Sequence, residues 1–571
     1  MKCFIVRFND HNKILAEKLG INFYCGVVKK WLVIDENQKK KLDYNNIIYE
    51  IKEEFIKNNH NEVKHIQRQP LEDGFNIDGS QKGNYSLSEM EIKLDELYTK
   101  YGPDGTHNPN IIQERFIAGI SIEQRSIHMF RLGKNIDNPA VFYCACTHAR
   151  EPVAMMSLLH LMFWLGENYK ENPLTIDERR AKSLIDNHTL WIMPLNNPDG
   201  YDYNEEIQPS GGGLQRKNRR PGTCSGQTSN GIDLNRNYAY DWGINNTGSS
   251  GNSCSQVYRG PLAFSEPESR IKRDFIGHTN NIITNMKNIK ISLHTHTYGN
   301  LLIYPNELPS EYKNIYTTLG LEMSKYNNYL VGDDLETVGY QVNGDEVSWC
   351  NNGTMGDFIY SFTPEIGAST DGFWPDESRI PILINDSLYM YLSGVSLTSG
   401  HPVIVDITSN TDIIPNTTVT LNLTIKNKGL DNCSNIKIEL NGIQYNLDTS
   451  IDPNEEQIVE LEVIIPSDSI PNSQLSLYSF DINNFPIQSE KNLTVVLEVT
   501  DLLIELVKGW NLIGSGTSEN MIIDDPNNIV IPNSVYSYDS TLGYQNTTNL
   551  KISKGYWIKT NNAGPIILKP L

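Results

Sequence analysis

The chain has 571 residues, of which 39% are hydrophobic and 20% are charged. Because that hydrophobic content exceeds what a mostly disordered chain carries, we expect folded domains, three or four of them at roughly 150 residues each. The 48 basic and 69 acidic residues give a net charge of −21, which repels phosphate groups and anionic lipid, so nucleic acid is not expected as a partner.

The N-terminal residues 1–78 predict a small α+β domain. Four elements are expected in it: strands at Lys2–Val6 and Lys30–Ile34, and helices at His11–Leu19 and around Asn45–Lys57. A linker rich in Gly and Asn follows, Asp73–Gly83. Charges are scattered through the first twenty or so residues, so we do not identify a signal peptide, and no apolar run reaches the roughly 18 residues of a membrane span.

Residues 85–397 alternate helical patterns with short apolar strands. The clearest elements are a helix at Ser86–Tyr101, a buried strand at Ala140–Cys146, a helix at Val153–Asn168 and a strand at Thr189–Pro194. This alternation predicts a doubly wound α/β domain in which the loops at the strand ends form the functional site.

Two all-β modules are predicted after the α/β domain. Residues 400–500 contain alternating stretches such as Thr418–Lys426 and Ile458–Ile465, which indicate an antiparallel sandwich. Residues 501–571 predict a second, smaller β module. We interpret both as spacers or attachment modules that bind a cell surface or a polymer, and not as catalytic units.

The segment CTHAREP, Cys146–Pro152, directly follows a buried strand and precedes a helix. It therefore lies at the carboxyl end of a strand, where α/β sheets bind ligands. His148 and Glu151 are three residues apart in this turn and can direct an imidazole and a carboxylate at one metal ion. Catalytic zinc needs three protein ligands and an open position for water, so a third ligand and a general base are required.

Two histidines on one strand are candidates for the third ligand. His294 and His296 lie in the apolar segment Lys290–Pro305, and the two-residue period of a strand places both on one face. A single strand histidine is most often a satisfied core residue. Two alternating histidines at a strand end favour a ligand role, without deciding which of the two it is.

Six motifs occur in an order that resembles a known family. They are HAREP, NNPDGY at Asn196–Tyr201, QRKNR at Gln215–Arg219, GIDLNRN at Gly231–Asn237, HTYGNLLIYP at His296–Pro305 and YSFTPEIG at Tyr360–Gly367. Together they resemble the zinc carboxypeptidases of the carboxypeptidase A/B/T type, and the bacterial and archaeal carboxypeptidase T-like members in particular. The resemblance covers about residues 85–395. It implies an α/β fold with a mixed sheet flanked by helices, and hydrolysis of C-terminal peptide bonds.

The resemblance also implies a role for individual residues. His148, Glu151 and His296 match the ligands of one Zn²⁺ per chain; His296 is preferred to His294 because Tyr298 and Tyr304-Pro305 follow it at the family's offsets. Glu365 matches the general base and Arg216 the arginine that stabilises the oxyanion. The implied substrate-binding residues are Arg150, Asn235, Arg236, Tyr298, Tyr340 and Val347.

The residue types suit these roles. A guanidinium fork can donate two parallel hydrogen bonds to the terminal carboxylate of a peptide, which a lysine cannot. Val347 matches the floor of the pocket for the terminal side chain and predicts a hydrophobic or broad preference, although Asp345 and Glu346 are near enough in sequence to reach the pocket.

Three further expectations follow from the resemblance. Cys224 and Cys254 match a disulfide, which fits an oxidising compartment and an extracellular or cell-surface location. The N-terminal domain resembles the propeptide-like domains that cover the active site in related enzymes. A folding aid or accessory domain is the alternative interpretation. The expected partners are peptide or protein C-termini.

Two other functions remain open at this point. One is an amidase or endopeptidase of the same fold that acts on cell-wall peptides. The other is a non-catalytic adhesion protein that carries an inactive peptidase domain.

Overall fold

The computed structural model describes residues 2–8, 32–35, 49–56, 75–106, 111–276, 278–279, 282–283, 288–351, 359–467, 469, 473–495, 502–514, 520–551 and 554–570. The described residues of the N-terminal part form three antiparallel strands, β1 (Lys2–Phe8), β2 (Leu32–Asp35) and β3 (Tyr49–Ile56), in the order β2-β1-β3. The helix expected at His11–Leu19 lies outside the described residues.

The helix predicted around Asn45–Lys57 is wrong, because the described residues of this segment, Tyr49–Ile56, form β3. It pairs with β1 from Lys2 opposite Ile56 to Phe8 opposite Tyr49. The Glu and Lys residues of the segment favour a helix, but local propensity is a weak determinant. Pairing with β1 gives the backbone of the segment its hydrogen-bond partners, and that tertiary contact decides the structure.

The central unit contains ten strands and nine α-helices among the described residues. The strands are β4 (Ile112–Ile120), β5 (Ser126–Leu132), β6 (Ala140–Ala145), β7 (Thr189–Met193), β8 (His278–Thr279), β9 (Ile282–Ile283), β10 (Ile289–Thr295), β11 (Leu301–Tyr304), β12 (Leu330–Asp333) and β13 (Tyr360–Glu365). The helices are α1 (Leu87–Tyr101), α2 (Pro152–Asn168), α3 (Ile176–Asn187), α4 (Pro198–Ile207), α5 (Pro267–Ile276), α6 (Ser310–Met323), α7 (Asp334–Thr337), α8 (Glu346–Cys350) and α9 (Ile380–Ser396).

Eight of these strands form one mixed sheet in the order β12-β11-β13-β10-β6-β7-β5-β4. The central strands β13, β10, β6 and β7 are parallel, whereas β11 runs antiparallel to β13, and β5 runs antiparallel to both β7 and β4. The sheet is therefore mixed, as the resemblance implied; the alternation of helices and strands had predicted a doubly wound α/β domain without the direction of each strand. The connection between β4 and β5 is too short for a parallel crossover, which needs about a dozen residues.

The central strands are buried on both faces, which explains their continuous apolar sequences. Along β6, Val141 and Tyr143 enter the core that contains α2 and α9, whereas Phe142 and Cys144 enter the core on the opposite face. Helix α2 is buried along nearly its whole length and packs against α9. The carboxyl ends of the central strands, where a site is expected, are therefore held by a layer that is packed on both faces. None of the helices in the described part of the chain is long and apolar enough to span a membrane.

The described residues of the C-terminal part form β-strands and no helices. Its strands are β14 (Pro402–Ser409), β15 (Thr418–Asn427), β16 (Cys433–Ser434), β17 (Lys437–Leu440), β18 (Ile443–Asn446), β19 (Ser450–Ile451), β20 (Glu456–Ile464), β21 (Gln474–Phe480), β22 (Ile487–Thr494), β23 (Leu502–Leu506), β24 (Gly509–Gly514), β25 (Met521–Asp524), β26 (Val530–Asp539), β27 (Gly543–Asn546), β28 (Asn549–Leu550), β29 (Gly555–Thr560) and β30 (Gly564–Pro570). The larger sheets are β14-β15-β20 and β18-β17-β21-β22, then β23-β30-β25-β28 and β24-β29-β26-β27.

The sandwich that starts at β14 shares a core with the central unit. Val403, Phe485 and Ile487 belong to the same contiguous cluster as the side chains of α2 and α9. An ion pair adds to this contact, because Lys428 Nζ lies 3.0 Å from Oε2 of the buried Glu322 on α6. The two units are therefore expected to unfold together.

Replacement of Phe485 by Ala tests this shared core. Phe485 is fully buried, so the substitution should destabilise the protein by about 3–5 kcal/mol. The control is Ile482→Ala, because Ile482 is 60% exposed and should change stability little. Calorimetry should show one thermal transition that contains both the sandwich and the central unit, and the whole transition should shift to lower temperature in the Phe485 variant. A shift confined to a separate peak would contradict a common core.

Candidate active site

The candidate metal ligands lie at the carboxyl ends of two adjacent parallel strands. His148 and Glu151 occupy the turn between β6 and α2, and His296 directly follows β10. Strands β6 and β10 pair in register, with Thr295 opposite Ala145, so the residues that follow both strands reach the same edge of the sheet. The structure therefore brings together three residues that are up to 148 positions apart in the sequence.

The three side chains face one another and are buried. Glu151 lies between the two imidazoles, with Oε1 at 3.0 Å from His148 Nδ1 and Oε2 at 2.8 Å from His296 Nδ1. One donor atom from each residue lies within 4.8 Å of the others. Atoms that share a zinc ion at about 2.0–2.1 Å are themselves about 3 Å apart, so this spacing fits zinc.

The chemistry of the donors agrees with this geometry. Two histidines and one glutamate form a known ligand set of catalytic zinc, which leaves a fourth position open. Burial lowers the pKa of His296 to about 4, an effect that His148 reinforces, so this imidazole is neutral, as a metal ligand must be. Nε2 of His296 has no hydrogen-bond partner among the described residues.

Asp233 is a site residue that the sequence analysis did not identify. Its carboxylate contacts His148 Nε2 at 3.2 Å through Oδ1 and accepts hydrogen bonds from Arg216 Nε and Nη2 at 3.1 and 3.0 Å through Oδ2. Burial alone would raise the pKa of Asp233, but Arg216 and His148 outweigh it and hold the pKa well below its ordinary value. The acid thus orients both a metal ligand and the arginine beside it. Its sequence signal was its place in GIDLNRN, two residues before Asn235.

Asn235 and Arg236 lie in a short 3₁₀ turn, Leu234–Arg236, whose N-cap is Asp233. Arg236 is buried and donates from Nε to Gly248 O at 2.8 Å and from Nη1 to Asn235 O at 2.6 Å. Asn235 Oδ1 accepts a hydrogen bond from the backbone N–H of Glu346 at 3.0 Å, which ties the turn to α8. Both side chains are therefore fixed before any substrate binds.

Glu365 ends β13, beside the ligand strand β10. The backbone pairing continues past the strand, since His296 N donates to Pro364 O at 2.8 Å and Ile366 N donates to His296 O at 2.9 Å. Burial raises the pKa of Glu365 well above its ordinary value, and the charge of Glu151 adds to this effect. A carboxylate with a raised pKa at this position can accept a proton.

Two cavities meet at these residues. The outer cavity, of about 250 Å³, is lined by Arg150, Tyr298 and Phe373 among others. The inner cavity, of about 100 Å³, is lined by Asn235, Asp345 and Val347 among others. The two cavities share five residues: Arg216, Arg236, Val338, Tyr340 and Glu365.

Every site residue predicted from the sequence either belongs to the His148–Glu151–His296 group or lines one of these cavities. Phe373 was not predicted. Its ring lies 4.9 Å from that of Tyr298 and 4.0 Å from the guanidinium of Arg150, so it supports both residues at the outer cavity.

A second group of donors lies behind the site, formed by Cys144, His294 and Glu346. Lys272 Nζ contacts the Glu346 carboxylate and lies 3.2 Å from Thr147 Oγ1. Burial alone would lower the pKa of Lys272, but Cys144 and Glu346 outweigh it and raise the pKa, so the group is an ammonium. This ammonium takes the carboxylate oxygen that a metal ion would need, so the second group does not fit a metal.

The predicted disulfide between Cys224 and Cys254 is present, with the two Cα atoms 5.5 Å apart. It joins the loop after QRKNR to the loop that is closed by the β-bridge between Ser250 and Tyr258. Cys144 and Cys146 are free and buried.

The chain is similar in sequence to several known proteins. The family model described as zinc carboxypeptidase matches residues 106–390. Carboxypeptidase B of Astacus astacus is 29% identical over 307 residues, which cover 52% of this chain and 90% of that protein. Metallocarboxypeptidase A of Arthroderma otae is 33% identical over 250 residues, which cover 41% of this chain and about half (54%) of that protein.

Among solved structures, carboxypeptidase A from Helicoverpa armigera aligns with 69% of this chain and 97% of its own, at 22% identity and a TM-score of 0.47. From the family match, with the three buried donors and the mixed sheet that carries them, the chain belongs to the zinc carboxypeptidase family.

Proposed function

We propose that this enzyme removes single residues from the free C-termini of peptides, with His148, Glu151 and His296 as the zinc ligands. The observation that carries the proposal is the placement of a fixed guanidinium, Arg236, on the wall shared by both cavities. When bound, zinc polarises the peptide carbonyl and lowers the pKa of its water to about 7.

Arg236 and Asn235 would bind the terminal carboxylate of the substrate. Arg236 is anchored through Nε and Nη1, and its guanidinium faces both cavities. Charge-assisted hydrogen bonds from such a group are short and strong. Tyr340 lines both cavities beside Arg236 and would close over the bound residue.

Glu365 would take the proton of the attacking water and pass it to the leaving amine. It lines both cavities and lies next to His296 in the backbone pairing, so it faces the position of the scissile bond. Arg216 would stabilise the negative charge that develops on the carbonyl oxygen, because Asp233 holds its guanidinium against the same cavities.

The inner cavity would receive the terminal side chain, and its lining supports a broad preference. Val347 offers an apolar wall, while Asp345 and Asp334 line the same cavity. Asp345 is buried and its Oδ1 has no hydrogen-bond partner among the described residues. An unpaired buried carboxylate is costly and is satisfied by a basic group, so Lys and Arg should be accepted besides apolar residues.

The alternatives are less well supported. An amidase or endopeptidase that acts on cell-wall peptides has no need for Asn235 and Arg236, a pair suited to a terminal carboxylate, in the lining of these cavities. A non-catalytic adhesion protein has no need for Glu365 and Arg216 beside the ligand group. The Cys224–Cys254 disulfide favours an oxidising compartment, and we propose an extracellular or cell-surface location.

Metal analysis of two histidine variants tests the ligand assignment. His296→Ala should lose the one zinc per chain, whereas His294→Ala should keep most of it, because His294 Nδ1 lies 2.8 Å from Glu346 in the second group. Each variant is the matched control of the other, because His294 and His296 lie two positions apart in one buried segment. Loss of zinc from His294→Ala alone would contradict the assignment.

Glu365→Gln tests the proton acceptor. An amide cannot take the proton of water, so kcat should fall by roughly 10²-fold or more while zinc content and KM stay near wild type. The exposed Glu311→Gln is the control and should retain full activity. A Glu365→Gln enzyme with more than a few per cent of wild-type kcat would place the proton acceptor elsewhere.

Asp345→Asn tests the basis of the side-chain preference. Asp345 caps α8 by accepting from Ser348 N through Oδ2 at 3.0 Å, and Asn caps helices equally well, so the fold should persist. The ratio of kcat/KM for a peptide ending in Arg to that for one ending in Phe should fall about tenfold or more. An unchanged ratio would remove Asp345 from the pocket.

The same ratio should depend on pH. Burial raises the pKa of Asp334 to about 7, so this carboxyl is neutral below that pH and charged above it. In the wild-type enzyme, the Arg-to-Phe ratio should therefore rise between pH 6 and pH 8. Enzyme groups whose titration affects both substrates equally do not change this ratio. A ratio that is constant or falls over this pH range would contradict a role for Asp334.

A further inference from the structure

The last β module presents a row of aromatic side chains to solvent. In the sheet β24-β29-β26-β27, Ile513, Val535, Tyr556 and Ile558 point into the module's core. The alternate positions point outward, and there Leu512 pairs with Trp557, which pairs with Tyr536. The outer face of a solvated antiparallel sheet is normally polar, so an aromatic outer face requires an explanation.

Four rings on this face enclose a groove. Trp510, Tyr536, Tyr544 and Trp557 line a cavity of about 350 Å³, which is within the size range of small-ligand sites. The Trp510 and Tyr536 ring centroids are 6.1 Å apart. Trp510 is 50% exposed, Tyr544 62% and Trp557 38%, so each ring keeps a free face for a ligand.

The charge of the face excludes two classes of ligand. Lys559 is the charged residue among the outward positions of β29, and its Nζ lies 5.3 Å above the Trp510 ring. Residues 501–571 carry five lysines against six acidic residues, in a chain of net charge −21. Binding to nucleic acid or to an anionic membrane requires a cluster of basic groups, which this face does not have within the described residues.

The size of the face argues against a protein partner. A stable protein interface uses about 20–30 residues on each side. The outward aromatic and apolar positions of this sheet number six: Trp510, Leu512, Tyr536, Tyr538, Tyr544 and Trp557. A narrow groove with aromatic walls suits a slender, uncharged chain.

We propose that this face binds a neutral polysaccharide. A pyranose ring presents C–H groups on its faces, and these carry the partial positive charge that the negative face of an aromatic ring attracts. The hydroxyl groups at the edge of the sugar need donors and acceptors, which the Tyr536 and Tyr544 hydroxyls provide. Asn546 lies beside Tyr536 on the neighbouring strand and uses Nδ2 to donate to Asn533 O, which leaves its Oδ1 for the sugar.

This binding would hold the peptidase on an insoluble glycan while its active site acts on nearby peptides. It is a function separate from catalysis, because the groove and the zinc ligands have no residue in common.

Retention of the full-length enzyme on insoluble cellulose, chitin and mannan tests the proposal. The wild-type enzyme should bind at least one of them and be released by soluble oligosaccharides of the same sugar. Trp510→Ala and Trp557→Ala should each weaken binding about tenfold or more. Trp557→Phe keeps an aromatic ring and should retain most of the binding, which distinguishes loss of the ring from misfolding of an Ala variant. Leu503→Ala is the matched control, because Leu503 is 62% exposed on the other sheet of the module.

Hydrolysis of a blocked dipeptide should be unchanged in all four variants. A failure of the proposed polysaccharide binding can therefore be distinguished from a failure of the proposed catalytic function. The proposal is overturned if none of the three polysaccharides retains the enzyme, or if the Trp→Ala variants bind as well as wild type. It is equally overturned if the rings are instead required for binding a proline-rich peptide, for binding vesicles of equimolar phosphatidylcholine and phosphatidylglycerol, or for self-association.

Discussion

The parallel pairing of β6 with β10 is the constraint on which the active site depends. Because Thr295 lies opposite Ala145, the turn that carries His148 and Glu151 and the segment that carries His296 leave the sheet side by side. A one-residue change of this register would turn every side chain of one strand to the other face. Both strands are buried on both faces of the sheet. Helices α2 and α9 pack against one face, and this packing fixes the register of the two strands.

Buried carboxylates hold the neighbouring side chains of the site in place. Asp233 fixes both His148 and Arg216, while Glu346 pairs with Lys272 and His294 behind them. Burying such charges is expensive unless each is paired. The pairs therefore fix the positions of Arg216 and α8. The backbone N–H of Glu346 on α8 in turn fixes Asn235 by donating a hydrogen bond to its Oδ1.

Much of this site could be predicted from the sequence, because its residues lie in contiguous motifs. The choice of His296 over His294 followed from the family resemblance, in which tyrosines follow the ligand at these offsets. In the structure, His294 lies beside Glu346. Asp233 and the Lys272–Glu346 pair were missed, because each acts through contacts between elements far apart in the chain. Strand β3 was predicted as a helix for the same reason, since its partner β1 lies more than forty residues earlier. The mixed direction of the sheet likewise followed from the family resemblance and not from the alternation of helices and strands.

The central claim is that the enzyme acts at a free C-terminus with the help of zinc. The most direct test compares hydrolysis of one N-terminally blocked dipeptide in two forms, with a free C-terminal carboxylate and with a C-terminal amide, before and after removal of metal by a chelator. We predict that only the free acid is cleaved at a substantial rate, that the chelator abolishes this activity, and that added zinc restores it. Equal cleavage of the amide, or full activity in the chelator-treated enzyme, would contradict the account.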